Sequence, residues 1–261
     1  MMLSLDPAEL MTLSISFLLP FFRIGAFLMA LPLIGSKLVS IRIRAALAFV
    51  IAIIVTPVIQ MPPYEAISPA FIILIFEQLI IGVVLGFVVT ALFQIFSLAG
   101  QLAAMSAGLG FAMSNDPANG ISVATLGQYY LSMVGLAFIG TNGHHVMLAF
   151  LVESFTYWPV GAGFDSLHYY DLAKLGGWIF EKALLMVMPL TIAVLVMNLS
   201  FGIVAKASPQ LNIFAIGFPV IMLFSLFFFW VMLGEFLNIY KLFFNDMILW
   251  LKDTWGIRVD G

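Results

Sequence analysis

From Gln78 to Asn115 the chain carries no aspartate, glutamate, lysine or arginine. A charge-free run of this length exceeds the ~20 apolar residues that cross a bilayer core. It limits the fold before any motif is considered. Unpaired backbone N–H and C=O groups are costly in hydrocarbon, so the run must be helical wherever it meets lipid. Its later part lies in the stretch Gly100 to Gly120, GQLAAMSAGLGFAMSNDPANG. Glycines at 108, 110 and 120 loosen that stretch, and Asp116-Pro117 starts a turn that a continuing helix would not choose. A non-helical segment in such surroundings has to be packed in protein or line a cavity. Residues 100–120 are therefore expected to be a functional interruption framed by helices.

Composition gives the same class. Of 261 residues, 63% are hydrophobic and 9% charged, against about 25% charged in an ordinary soluble domain. The expected fold is all-α, a polytopic integral membrane protein in one domain. A net charge of −3 gives no reason to expect a nucleic-acid partner. With zero cysteines there are no disulfides, thiolate nucleophiles or cysteine metal sites. The N-terminus, MMLSLDPAEL, has no basic residues ahead of its apolar run, so no cleavable signal peptide is expected and the first span stays in the mature protein.

Six apolar segments follow one another. The first, Leu10 to about Leu33, is interrupted by Pro20, Arg23 and Pro32. Lys37, Arg42 and Arg44 form the densest basic cluster and, by the positive-inside rule, place their loop in the cytoplasm and the N-terminus outside. Ala45–Ile59 and Pro69–Ala99 come next, the latter with Gly82-x-x-x-Gly86, which permits close helix approach but is common in membrane helices. Ile121–Ile139 and His144–Tyr157 form one span or a short hairpin. A polar connection with Asp165, Tyr169, Tyr170 and Asp171 suits a membrane–water interface. Gly177–Val204 and Phe214 to about Trp250 make a final long pair, and the late basic residues, matched by Asp246, Asp253 and Asp260, leave the C-terminal orientation open.

No catalytic constellation is present. His144 and His145 are adjacent, so a helix points them about 100° apart, unlike the i, i+4 pair of a zinc site. Asn142 and the histidines read as a helix-end cap. Arg23, Glu77 and Glu153 lie in or beside apolar runs, where a charge costs roughly 2.5–3.5 kcal/mol on insertion scales and normally pairs or lines water. Three such residues without an acid–histidine chain favour structural or intersubunit bridges over a proton relay. No cofactor or metal is expected. Met105, Phe111 and Met113 around the central loop fit a gate or ordinary core equally well.

Gly108-Leu-Gly-Phe-Ala112 followed by Asp116-Pro117 resembles the central motif of the FliR family, subunits of the bacterial flagellar type III export gate. The likeness covers essentially the whole chain in order: Phe17-Leu-Leu-Pro20-Phe-Phe-Arg23 with Pro32; Glu77 with Gly82 and Gly86; Asn142-Gly143-His144; Glu153-Ser-Phe155 with Pro159-x-Gly161; Ser208-Pro209-Gln-Leu-Asn212 with Gly217-Phe-Pro219. One departure is Ser40, where relatives often carry proline.

The resemblance implies bent helical hairpins, with a FliP-like part over 1–176 and a FliQ-like hairpin and tail over 177–261, built into a multi-subunit helical cone. It implies partnership with FliP and FliQ, contact with FlhB, unfolded flagellar proteins as substrates, and membrane lipids around the assembly. The expected location is the inner membrane at the flagellar basal body, partly on its periplasmic side. The loop becomes a lumenal plug comprising Met105, Gly108, Leu109, Gly110, Phe111, Ala112 and Met113, with Gly108 and Gly110 supplying freedom for displacement and Asp116-Pro117 anchoring the return. Alternatives are a virulence-type secretion gate, a secondary transporter or small-solute channel, and a non-conducting scaffold.

Overall fold

The structure is a computed structural model that describes residues 7–36, 39–59, 69–109, 113–115, 122–163, 169–208, 210 and 213–256. Side chains are described from Ser16 onward, except at 113–115, 122–123 and 213–214. Eight α-helices are formed by these residues: α1 Pro7–Ala30, α2 Ile41–Val55, α3 Pro69–Ser106, α4 Thr125–Gly140, α5 Gly143–Tyr157, α6 Tyr169–Ala207, α7 Ile213–Met232 and α8 Phe236–Trp255. Single 3-10 turns follow α2 and join α7 to α8. Strands β1 Met113–Asn115 and β2 Ser122–Ala124 pair antiparallel, Met113 opposite Ala124 and Asn115 opposite Ser122.

Four stretches are long and apolar enough to cross a membrane: 41–58, α3, α6 and 215–255. The pair α4–α5 passes that test only when taken together, as a broken span or a re-entrant loop. With α1, these reproduce the six expected segments. At 38 and 39 residues, α3 and α6 are each about 57 Å long, well beyond a hydrocarbon core of roughly 30 Å. Part of each is therefore tilted or lies outside the hydrocarbon.

Several boundaries differ from the sequence expectation for physical reasons. Pro20 does not interrupt α1, and Pro189 and Pro219 likewise sit inside α6 and α7. Membrane helices tolerate such prolines because neighbouring groups re-satisfy the freed carbonyl. Helix α3 continues through Gly100 to Ser106, so the first turns of the expected interruption are helical. Ser40 is the N-cap of α2, its Oγ accepting from the Ile43 N–H at 3.4 Å, and its φ of −64° is one a proline ring adopts as well. Arg44 secures the same turn by donating to the carbonyls of Ser36 and Val39.

The chain forms two compact units. One comprises residues 1–90, 142–173 and 247–261, the other 91–141 and 174–246. In the first, α3 lies on α1 through Gly82 and Gly86. A Cβ at Gly82 would meet the Arg23 carbonyl and come within 2.8 Å of the Ala26 Cβ; one at Gly86 would come within 2.5 Å of the Ala30 Cβ. Small residues at 26, 30, 82 and 86 thus bring the two backbones together, and Thr90 Oγ1 donates to the Ala30 carbonyl at 2.7 Å. The Gly-x-x-x-Gly pair, uninformative by itself, is a helix contact here.

The second unit explains much of the phenylalanine content. Phe96 on α3 meets Phe236, Tyr240 and Phe243 of α8, and Tyr130 on α4 stacks on Phe236 with ring planes 12° apart. Tyr240 is fully buried, and its hydroxyl shares a hydrogen bond with Thr141. Gly100 serves close approach rather than flexibility, since a Cβ there would come within 2.5 Å of the Gly127 Cα on α4. Lys182 on α6 pairs with Asp246 on α8 at 2.7 Å, so these late charges answer one another within the chain.

Replacing Gly82 with valine forces α1 and α3 apart. Overpacking typically costs ~1–3 kcal/mol, and thermal unfolding of the purified protein in detergent should show a lowered midpoint. An unchanged midpoint would remove this contact from the account of the fold.

Candidate functional site

Two features stand out among the described residues: a buried polar network around Arg23, and the root of the central loop.

Arg23 lies on α1 with no exposed surface. Its planar guanidinium is a fork of five donors that cannot shed its charge in ordinary conditions. Nε donates to Gln78 Oε1 at 2.7 Å. One terminal nitrogen donates to the Ser154 carbonyl at 3.1 Å and reaches Ser154 Oγ at 3.3 Å, and the other donates to the Trp158 carbonyl at 2.8 Å. The group also lies 4.1 Å from the centre of the Phe155 ring, within cation–π range. Ser154 is in the last turn of α5 and Trp158 is its C-cap, so Arg23 places a positive charge at the negative end of that helix.

Glu77 completes the network from α3. Its Oε1 accepts from the Gly161 backbone N–H at 3.1 Å and is met by Gln78 Nε2 at 3.4 Å. Gln78 thus links the two charges, accepting from Arg23 and donating to Glu77. Arg23, Glu77 and Gln78 are all buried. Together they tie α1, α3, the end of α5 and the following turn within the first unit.

Other expected polar residues stand apart from this network. Asn142 does cap α5 by position, in the left-handed conformation with φ 57°, but its side chain makes no cap bond. Its carbonyl accepts from the N–H groups of His145 and Val146. The His144 and His145 rings come together, centroids 4.1 Å apart, instead of diverging as simple helical spacing suggests, and His144 Nδ1 is buried without a described partner. Glu153 is half-buried on α5, next in sequence to Ser154, and lines a cavity rather than joining Arg23.

The loop root is built with equal definition. After Ser106, the Leu109 N–H bonds the Ala104 carbonyl at 2.8 Å and the Gly108 N–H bonds the Met105 carbonyl at 3.2 Å. Gly108 has φ +75°. This is a Schellman termination, in which a glycine takes the left-handed position that closes the helix. A Cβ on Gly108 would also come within 2.9 Å of the Phe218 ring on α7. Met105 is exposed on the last turn of α3, and Leu109 is half-buried. Met113 begins β1, and the β1–β2 ribbon pairs the arms of the loop just ahead of α4. The expected plug residues Gly110, Phe111, Ala112, Asp116 and Pro117 lie outside the described residues.

Sequence reasoning missed Gln78, Ser154, Phe155, the Trp158 carbonyl and Phe218. Three of these sit one or two positions from a residue already singled out, and a buried charge near a glutamine or serine signals a bonding partner.

These features define a polytopic helical membrane protein held by a buried ionic network and interrupted by a capped, ribbon-closed loop. The chain matches the family described as Bacterial export proteins, family 1, over residues 14–247, and belongs to it. It is similar to the flagellar biosynthetic protein FliR of Bacillus subtilis, 32% identical over 209 residues covering 78% of this chain and 81% of that protein. The FliR of Pectobacterium carotovorum is 30% identical over 84% of each chain. That of Buchnera aphidicola from Schizaphis graminum is 29% identical over 97% of this chain and 98% of its own.

Replacing Arg23 by methionine leaves the Glu77 carboxylate buried without its counter-charge and the Trp158 carbonyl without the guanidinium that donates to it. Breaking a buried pair on one side costs ~3–5 kcal/mol, so folded protein recovered in detergent should fall sharply. Arg23→Lys should rescue only part of that loss, because an ammonium cannot span Gln78, Ser154 and Trp158 as the fork does. Full recovery by lysine would reduce the site to simple charge.

Proposed function

We propose that this chain is a subunit of the flagellar type III protein export gate in the bacterial inner membrane. It assembles with FliP- and FliQ-type subunits, contacts an FlhB-type protein, and forms part of a protein-conducting channel for unfolded flagellar proteins. The reading rests on the similarity to FliR proteins over most of both chains. It is supported by a non-helical segment within an otherwise helical membrane chain. The part up to residue 176 is FliP-like, and 177–261 supplies a FliQ-like helical hairpin with a short tail.

In this reading, the segment rooted at Gly108 obstructs the lumen. Leu109, Phe111 and Met113 present apolar bulk that excludes water and ions by packing and dewetting. Asp116-Pro117 turns the chain back toward the ribbon. The role of Gly108 is sharper than loose backbone freedom: as a helix terminator it fixes where the loop leaves α3. Arg23 and Glu77 act as structural residues whose loss impairs assembly before it impairs export.

A solute carrier would purify alone or as a symmetric oligomer, whereas a gate subunit should co-purify with different small membrane proteins. Deleting residues 108–113 from an assembled gate should raise ion conductance across the inner membrane several-fold, read as dissipation of an imposed potassium gradient in vesicles. Normal assembly with unchanged conductance would sink the plug assignment and leave the non-conducting scaffold standing.

A further inference from the structure

Within the first unit, the 3-10 turn after α2 and the C-terminal half of α5 line a cavity of about 250 Å3. Val58, Ile59, Val152, Phe155 and Pro159 give it apolar walls. The acidic group in this lining is Glu153, with Thr156 beside it. Among the described residues the Glu153 carboxylate has no hydrogen-bond or ion-pair partner. Glu77, by contrast, is bonded to the Gly161 N–H and Gln78. Phe155 belongs to both places, lining the cavity while its ring carries the Arg23 guanidinium.

We propose that this cavity is a socket for one basic side chain, lysine or arginine, from a neighbouring subunit of the assembly. The proposal rests on the export-gate reading above and gives it a specific contact. Three observations converge on that occupant. The cavity is smaller than the roughly 300–1,000 Å3 of small-molecule sites, so it suits a single long side chain better than a transported solute. Its walls match the apolar stem of such a residue, and Glu153 matches the charged tip. Val58 at the rim is 75% exposed and Ile54, one turn earlier, 68%, so the socket opens in apolar surface that a packed helix would cover. A carboxylate in such surroundings is costly unless paired.

The floor makes the socket a positioned one. Phe155 packs its ring against the Arg23 guanidinium, and the backbone of Ser154 and Trp158 is bonded to the same group. Whatever enters is thus registered against α1 and α3 as well as α5. A basic tip bonded to Glu153 would fix the neighbour's height and rotation, the specificity role that interface charge pairs serve.

The test uses the assembled complex from cells, with a photo-crosslinking benzoylphenylalanine in place of Thr156, which is exposed at the socket. The expected product joins this chain to a different membrane subunit at a peptide bearing lysine or arginine within one helical turn of the cross-link. Glu153→Gln, which keeps the shape of the socket, should lower the co-purified amount of that subunit several-fold while leaving the level of this chain unchanged. Glu153→Lys should be worse, and exchanging the partner's basic residue for glutamate should restore co-purification. Cross-links confined to residues 60–68 of this chain, to lipid, or to a segment without a basic residue would overturn the socket, as would a charge exchange that restores nothing. In those cases the other subunits still co-purify and the export-gate reading stands. If no different membrane subunit accompanies the wild-type chain, both readings fall.

Discussion

The rest of the first unit depends on a guanidinium kept away from solvent. Removing a full charge from water costs several kcal/mol even after relaxation, and only a complete set of partners offsets that cost. Arg23 has such a set: a side-chain amide, a hydroxyl, two main-chain carbonyls and an aromatic face. Two of these partners are carbonyls at the end of α5: that of Ser154 also accepts from the Trp158 N–H, and that of Trp158 takes its bond from Arg23. One residue therefore satisfies a buried charge and a helix terminus at once. Lysine offers a point charge and three donors from one atom, so the geometry selects arginine.

This arrangement requires α1 and α3 to lie very close, and the glycines make that possible. Gly82 is one turn beyond Gln78 and opposes the Arg23 carbonyl itself. Lipid tails are as apolar as leucine, so membrane helices gain little from hydrophobic burial against one another and rely on packing and hydrogen bonds instead. Close approach at Gly82 and Gly86 supplies the packing; Arg23, Gln78 and Glu77 supply the bonds. Each makes the other possible, because a bulkier residue at 82 would draw the guanidinium away from its acceptors. The second unit follows the same logic at Gly100 and Gly127, with rings of Phe96, Tyr130, Phe236 and Tyr240 in place of the charge network.

The helical membrane class and the six apolar segments were legible in the residues because lipid leaves the backbone few choices. The importance of Arg23 and Glu77 was legible too, as charges in costly places. Their partners were not: Ser154 and Trp158 lie 131 and 135 positions from Arg23, and local pattern carries no information across that distance. Glycine was the hardest residue to read. Gly100, placed at the start of the expected interruption, is a helix position emptied for another backbone, and Gly108, read as freedom, is a helix terminator. The same residue type meets both needs, and only a neighbour in space distinguishes them. The ribbon went unseen because Met-Ser-Asn and Ser-Val-Ala are too short to show a strand period.

On the plug reading proposed above, the loop has to move without dismantling the protein that carries it. The described ends of the loop meet that condition. On one side the Schellman bonds from Gly108 and Leu109 close α3, and on the other the β1–β2 ribbon closes the return before α4. Chain displaced between those points leaves the hydrogen bonds of both helices intact. Neither end draws on the Arg23 network, whose bonds all belong to the first unit while the loop belongs to the second. On that reading, opening would leave the bonds of the Arg23 network untouched. On the same reading an arriving substrate would displace the loop and leave the buried guanidinium undisturbed.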